Sequence, residues 1–257
     1  MFRFNALLFL AFLLVSAQAF ACSCSPSPLT TRFQESQFVA KVKFLDIRQD
    51  PADEDYHNAR IQILALYKGV AVTEIKIHSQ LMSSCAFLPE VNSTWIIFAA
   101  EWQGKLSFHF CSGSFDLGRT FNNSRYPEAE KNYRDETQLK EQVLEFFRIH
   151  HITDPNTSRL NISMKGLDSL TGFKNTNRFA VFQLNTNTDL SISKITSLRR
   201  FRNNMLHKVV LNIIENSEVS VALPEGKTPT QPSQVIVVVY FYPQRNPEQN
   251  FLTMYDL

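Results

Sequence analysis

From Phe38 onward, apolar and polar residues alternate along the chain. Phe38, Ala40, Val42 and Phe44 fall on one side of an extended segment, with Lys41 and Lys43 on the other. A period of two with one apolar face predicts a half-buried strand over 38–47. Residues 59–68 repeat the pattern with Ile61, Ile63, Ala65 and Tyr67 and end at Lys68-Gly69. Shorter apolar runs predict strands over 73–79, 94–101 and 106–111. Asp50 to Asp55 is acidic, contains Pro51 and reads as a loop. Five short strands joined by turns imply a small antiparallel barrel.

The period then changes. Leu139, Val143, Phe146 and Phe147 stand at helical spacing within 135–149, with Asp135 placed to cap the start and Gln138 three residues later. This helix is expected to pack across the barrel. Residues 152–160 contain Asp154-Pro155-Asn156, show no period and read as a linker. Beyond it, 179–184 and 190–198 predict a hairpin around polar 185–189. Met205, Leu206, Val209, Val210, Ile213 and Ile214 mark one face of a helix over 203–214. After Pro224, Pro229 and Pro232 comes a strongly apolar strand over 235–242. Strand, strand, helix, strand makes a small α+β unit. The expectation is a β-rich two-domain protein: a barrel with its helix over 22–151, a linker over 152–160, and a ββαβ domain over 161–257.

The first 21 residues read as an export signal. Arg3 supplies the positive end, Ala6 to Val15 an apolar run too short to span a bilayer, and Ala19-Phe20-Ala21 the small-x-small cleavage pattern. Cleavage there makes Cys22 the first mature residue. A cysteine in that place is also where bacterial lipoproteins are acylated, but Ala19 and bulky Phe20 depart from the usual lipobox. No later apolar stretch is long enough for a membrane anchor, so none is expected unless Cys22 carries lipid. The expected location is outside the cytoplasm, secreted or in the periplasm and cell envelope.

Composition narrows the function. A net charge of +2 gives no electrostatic reason to expect nucleic acid as a partner. Seven glycines against twenty-two phenylalanines disfavour phosphate-cradling loops and suit aromatic-rich strands. The four cysteines, Cys22, Cys24, Cys85 and Cys111, all lie in the first half. An even count in an exported chain reads as two disulfides, with zinc binding as the rival. Pairing Cys22 with Cys24 closes a strained ring. Two pairings of the N-terminal strap with Cys85 and Cys111 remain open.

The run Cys22-Ser23-Cys24-Ser25-Pro26 resembles the start of the tissue inhibitors of metalloproteinases, which are netrin-like modules with an OB-fold barrel. The resemblance continues through Phe38-Val39-Ala40-Lys41-Val42, Tyr67-Lys68-Gly69, Ser83-Ser84-Cys85 and Cys111, and covers about 22–149. It implies the disulfides Cys22–Cys85 and Cys24–Cys111. It also implies an inhibitory edge in which the Cys22 amine and carbonyl chelate the zinc of a target protease. Ser23 would enter the specificity pocket, flanked by Cys24, Ser25, Pro26, Ser83 and Ser84. The third disulfide of the family's N-terminal half and its disulfide-rich C-terminal half are absent from this sequence. Residues 160–257 more weakly resemble, in pattern alone, the C-terminal domain of TonB-type envelope proteins, which implies an envelope protein as a partner. The expected function is metalloprotease inhibition; the alternative is a non-inhibitory netrin-like binding or structural module of the bacterial envelope.

Other candidates carry less. Adjacent His150 and His151 point to different sides of a helix and have no spaced partner for a metal. Arg199, Arg200, Arg202 and Lys208 read as a solvated helix start, and Asp50, Asp53, Glu54 and Asp55 as a flexible acidic loop without EF-hand spacing. Asn92, Asn122, Asn156 and Asn161 stand in glycosylation sequons. No nucleophile-and-base motif is present, so neither an enzyme nor a cofactor is expected, and the chain is expected to hold no metal of its own.

Overall fold

Five strands close a barrel. A computed structural model describes residues 22–25, 27–122, 124–221, 231–244 and 247–256; the expected export signal, 1–21, lies outside them, as does Pro26. A short helix α1 (Leu29–Glu35) precedes β1 (Phe38–Gln49), β2 (Tyr56–Lys68), β3 (Glu74–His78), β4 (Thr94–Trp102) and β5 (Lys105–His109). The strand order is β1-β2-β3-β5-β4, and β4 returns to β1 with Phe38 opposite Ala99 and Val42 opposite Trp95. A two-residue β6 (Phe115–Asp116) pairs antiparallel with the start of β4, Asp116 opposite Trp95 and Phe115 opposite Ile96. Phe38, Ala40, Val42 and Phe44 point into the barrel with Ile61, Ile75, Ile77, Ile97 and Phe108. The alternation read from the sequence is therefore the inside–outside alternation of β1.

In β2 the expected single face divides. Ile61 is in the barrel interior, whereas Tyr67 belongs to a second core outside it, with Ala65 packed alongside. Register shifts between β1 and β2, at Val39/Ala40, Lys41/Val42 and Phe44/Asp46, supply the reason. Each bulge displaces the side-chain alternation relative to the partner strand and re-aims the side chains beyond it.

The helix α2 (Ala129–Ile149) starts six residues before the expected Asp135. Its N-cap is Glu128, which makes no side-chain capping bond. The first turns carry Tyr133 as their one large apolar residue, so they leave no periodic signal; the Tyr133 hydroxyl donates to the Asp116 carbonyl at 2.6 Å and ties them to the barrel. The rest of α2 buries Leu139, Val143, Leu144, Phe146 and Phe147.

Beyond α2 the chain adds β7 (Leu160–Ser163), β8 (Phe179–Thr186), β9 (Ile192–Arg199), α3 (Asn204–Glu215), β10 (Glu218–Val221), β11 (Ser233–Tyr242) and β12 (Phe251–Thr253). The main sheet has the order β12-β11-β8-β9, while β7 and β10 form a separate ribbon. This is the expected strand–strand–helix–strand unit with three short strands added. Asn203 caps α3 through its side-chain oxygen, which accepts from Met205 and Leu206 N–H groups.

The strand β11 explains its own composition. Ile236, Val238, Tyr240 and Tyr242 face α2, and Val235, Val237, Val239 and Phe241 face α3. A strand covered on both faces is apolar at nearly every position. The first of these cores is shared. It joins Leu29 and Phe33 of α1, Val39, Tyr67, Ile96 and Phe98 of the barrel, the buried face of α2, and Phe179 and Val181 of β8. The helix thus lies between barrel and sheet. The linker segment is itself packed: the Pro155 carbonyl accepts the Ile236 N–H at 2.6 Å, and the Asn156 side chain exchanges two 2.8 Å hydrogen bonds with Leu160.

Candidate functional site

Two disulfides gather the strap before α1 onto one rim of the barrel. Cys22 is bonded to Cys85 and Cys24 to Cys111, across sequence separations of 63 and 87 residues. This is the pairing that the resemblance implies. Closing loops of that length constrains the unfolded chain by about 4 kcal/mol each in the chain-entropy account. Cys22 is half-buried, while Ser23, Cys24, Ser25, Ser83 and Ser84 are exposed. The residues singled out from the sequence are thus brought together, apart from Pro26, which lies outside the described residues.

The loop that carries Cys85 joins β3 to β4 and is built on internal hydrogen bonds. The Ser83 amide and hydroxyl both donate to the Gln80 carbonyl, the Ser83 hydroxyl oxygen accepts the Cys85 N–H at 3.1 Å, and Phe87 N–H returns to the Ser79 carbonyl at 2.9 Å. Phe87 roots it in the barrel, with its ring centroid 5.5 Å from Trp95 and 5.8 Å from Phe108. At its base the buried His57 meets the Ser79 hydroxyl through Nδ1 at 2.8 Å, and burial holds the His57 pKa below its ordinary value.

The turn that carries Cys111 comes after β5 as a single 3-10 turn, Phe110–Ser112. The Cys111 N–H donates to His109 Nδ1 at 3.1 Å, and Gly113 ends the turn with a left-handed φ of 76°. A side chain at Gly113 would collide with Arg32, whose Nη1 donates to the Gly113 carbonyl at 3.0 Å. Around the two crosslinks the rim is apolar as well as hydroxylated. Met82 is 99 % exposed, Leu81 45 % and Phe110 47 %.

The Lys68-Gly69 pair has a physical role at the other side of α1. Lys68 Nζ donates to the carbonyls of Phe33 and Gln34 at 2.8 and 3.1 Å, closing the helix C-terminus. Gly69, at φ 90°, leaves room for the Gln37 carbonyl, which a Cβ at that position would strike. Sequence reasoning found this motif. It missed Arg32, Gly113 and Asp256, which lie 81 or more residues from their partners and carry no local signal.

The remaining candidates are placed elsewhere. His150 and His151 are both exposed after α2, with the His150 ring 4.0 Å from Phe146. Among the described residues no cluster of three or more histidines, cysteines or carboxylates could hold a metal ion. The acidic loop is tied down rather than loose: Asp50 pairs with Lys76, and Asp53 with Lys105 at 2.5 Å. Those lysine hydrogen bonds hold both carboxyl pKa values below the ordinary range. Of the basic cluster, Arg199 ends β9 and stacks over Phe179 at 4.0 Å, while Lys208 is exposed on α3. No helix among the described residues is long and apolar enough to cross a membrane. The chain matches no protein-family model and no curated protein.

Proposed function

We propose that this protein is exported and acts as a binding module of the metalloprotease-inhibitor type, with the Cys22–Ser25 strap as its docking edge. The observation that carries this reading is the double crosslink of that strap to Cys85 and Cys111 on an exposed rim. A catalytic zinc keeps one coordination position open for water. Once the leader is removed, the α-amine and carbonyl of Cys22 chelate that zinc and displace the water. The disulfide at the same residue holds both atoms in place, so little freedom is lost on binding. Ser23 then enters the specificity pocket, and Ser25, Ser83 and Ser84 flank it.

The test uses the secreted protein, first sequenced at its N-terminus and weighed for acylation. Against a panel of zinc proteases it is compared with a version carrying one alanine before Cys22. The extended version is expected to be weaker by about 30-fold or more, the loss of one hot-spot contact of about 2 kcal/mol. Equal potency, or a lipid on the Cys22 nitrogen, overturns chelation.

A second reading, a non-inhibitory envelope binding module, is favoured by exposed Leu81, Met82 and Phe110. Apolar side chains on a rim dock a protein without any free amine. Binding of a partner that the added alanine leaves unchanged selects this reading.

A further inference from the structure

The docking edge is held from the far end of the chain. Helix α1 begins five residues after Cys24, and its N-cap, Pro28, makes no side-chain capping bond. The missing acceptor comes from 227 residues away, where Asp256 Oδ1 accepts the Leu29 N–H at 2.7 Å. The other oxygen of that carboxylate pairs with Nη2 of Arg32 and lies 3.7 Å from Lys140 Nζ. Arg32 spends its second amine on the Gly113 carbonyl, at 3.0 Å, and its guanidinium lies over the Phe98 ring. Gly113 closes the turn of Cys111, and the Ser114 hydroxyl oxygen fixes the next residue by accepting the Phe98 N–H at 2.9 Å. The Asp256 side chain is 1 % exposed and that of Arg32 13 %. A planar guanidinium with two donors aimed at two acceptors is a rigid strut, which a single ammonium cannot reproduce.

We infer that Asp256 and Arg32 are positioning residues for the Cys22–Ser25 edge. The segment after β12 sets both the start of α1 and the turn that anchors Cys24, and through them the angle at which the strap leaves the barrel. This deepens the docking role proposed above and rests on it for its biological meaning. The strut itself is testable without any protease.

Hydrogen exchange and thiol reduction are compared for the wild type, Asp256→Asn and Arg32→Lys. Asparagine keeps an oxygen for Leu29 but loses the charge, and lysine keeps the charge but cannot bridge to Gly113. Both variants are expected to exchange about tenfold faster at Arg32 and at Cys111 to Ser114. Their Cys24–Cys111 bond should be reduced faster than Cys22–Cys85, while exchange in β8 and β11 stays at wild-type rates. A uniform rise across barrel and sheet, or wild-type rates at 111–114, overturns the inference. Should Asp256→Asn fail to fold, Arg32→Lys carries the test alone. If the strut is real and the inhibitor reading fails, exchange changes and the protease panel stays silent; the reverse pattern isolates failure of the strut.

Discussion

The barrel rim and the second sheet solve opposite problems. At the rim, Ser23, Cys24, Ser25 and the 81–84 tip stay exposed, so little apolar burial is available there. Both disulfides stand in that region. In β8 and β11 nearly every side chain is covered, by α2 on one face and α3 on the other, and there is no crosslink. Burying a large apolar side chain is worth about 1.5–3 kcal/mol, which suffices where both faces are filled. An exposed rim has no such source of order. Covalent closure and a few long-range polar contacts supply it instead.

Reducing both disulfides should sharpen this contrast most. The chain-entropy account assigns about 4 kcal/mol to each. Exchange measured under reducing conditions is expected to rise first at 22–35, 79–87 and 109–114, with β8 and β11 retaining protection. The urea midpoint should fall accordingly. Loss of protection in the sheet at the same rate as in the rim would show that the crosslinks support the whole fold and not its open edge.

Truncating Phe147 attacks what the two regions share. Its ring is fully buried in the core between barrel and sheet, 5.1 Å from Phe33 in an edge-to-face arrangement. Phe147→Ala is expected to cost about 3–5 kcal/mol through lost burial and the cavity left behind. Because α2 serves both layers, barrel and sheet should weaken together in one thermal transition. Two separate transitions by calorimetry would mean that the shared core does not couple them.

Periodicity made the fold legible in the sequence where burial is one-sided or complete. The inward set of β1 and the two-faced run of β11 could be read because side chains alternate strictly along a strand. The bulges that divide β2 could not, since a register shift depends on the partner strand. The early turns of α2 are silent because they carry one large apolar residue, Tyr133, whose hydroxyl bonds to the Asp116 carbonyl. In the candidate site, the cysteines, Ser83, Ser84 and the Lys68-Gly69 pair announce themselves as local motifs. Arg32 and Asp256 do not; an ion pair across 224 residues leaves no mark in either neighbourhood. The segment at 152–160 shows no period because hydrogen bonds hold it, from the Pro155 carbonyl to β11 and from the Asn156 side chain to Leu160, and not an apolar face.

The smallest effect separates the two regions by pH. His207 of α3 is fully buried beneath the sheet, stacked on Phe182, with Nε2 3.1 Å from the Ser197 hydroxyl and Nδ1 unpartnered. Burial, and then the charge of Arg200, hold its pKa below the ordinary 6.5. His57 in the barrel is also lowered by burial, but its Nδ1 has Ser79 as a partner. A depressed folded pKa means that the unfolded chain takes up the proton first. The stabilisation is therefore complete above about pH 6.5 and is lost as pH falls toward the folded value. A charge on His207 would also create a buried N–H with no acceptor, so its share of the loss should exceed that of His57. Urea midpoints at pH 7 and pH 5 are expected to fall less in His207→Phe, which keeps the ring stack, than in the wild type or in His57→Gln. An unchanged pH dependence in His207→Phe would place the acid sensitivity in the barrel and reverse the assignment.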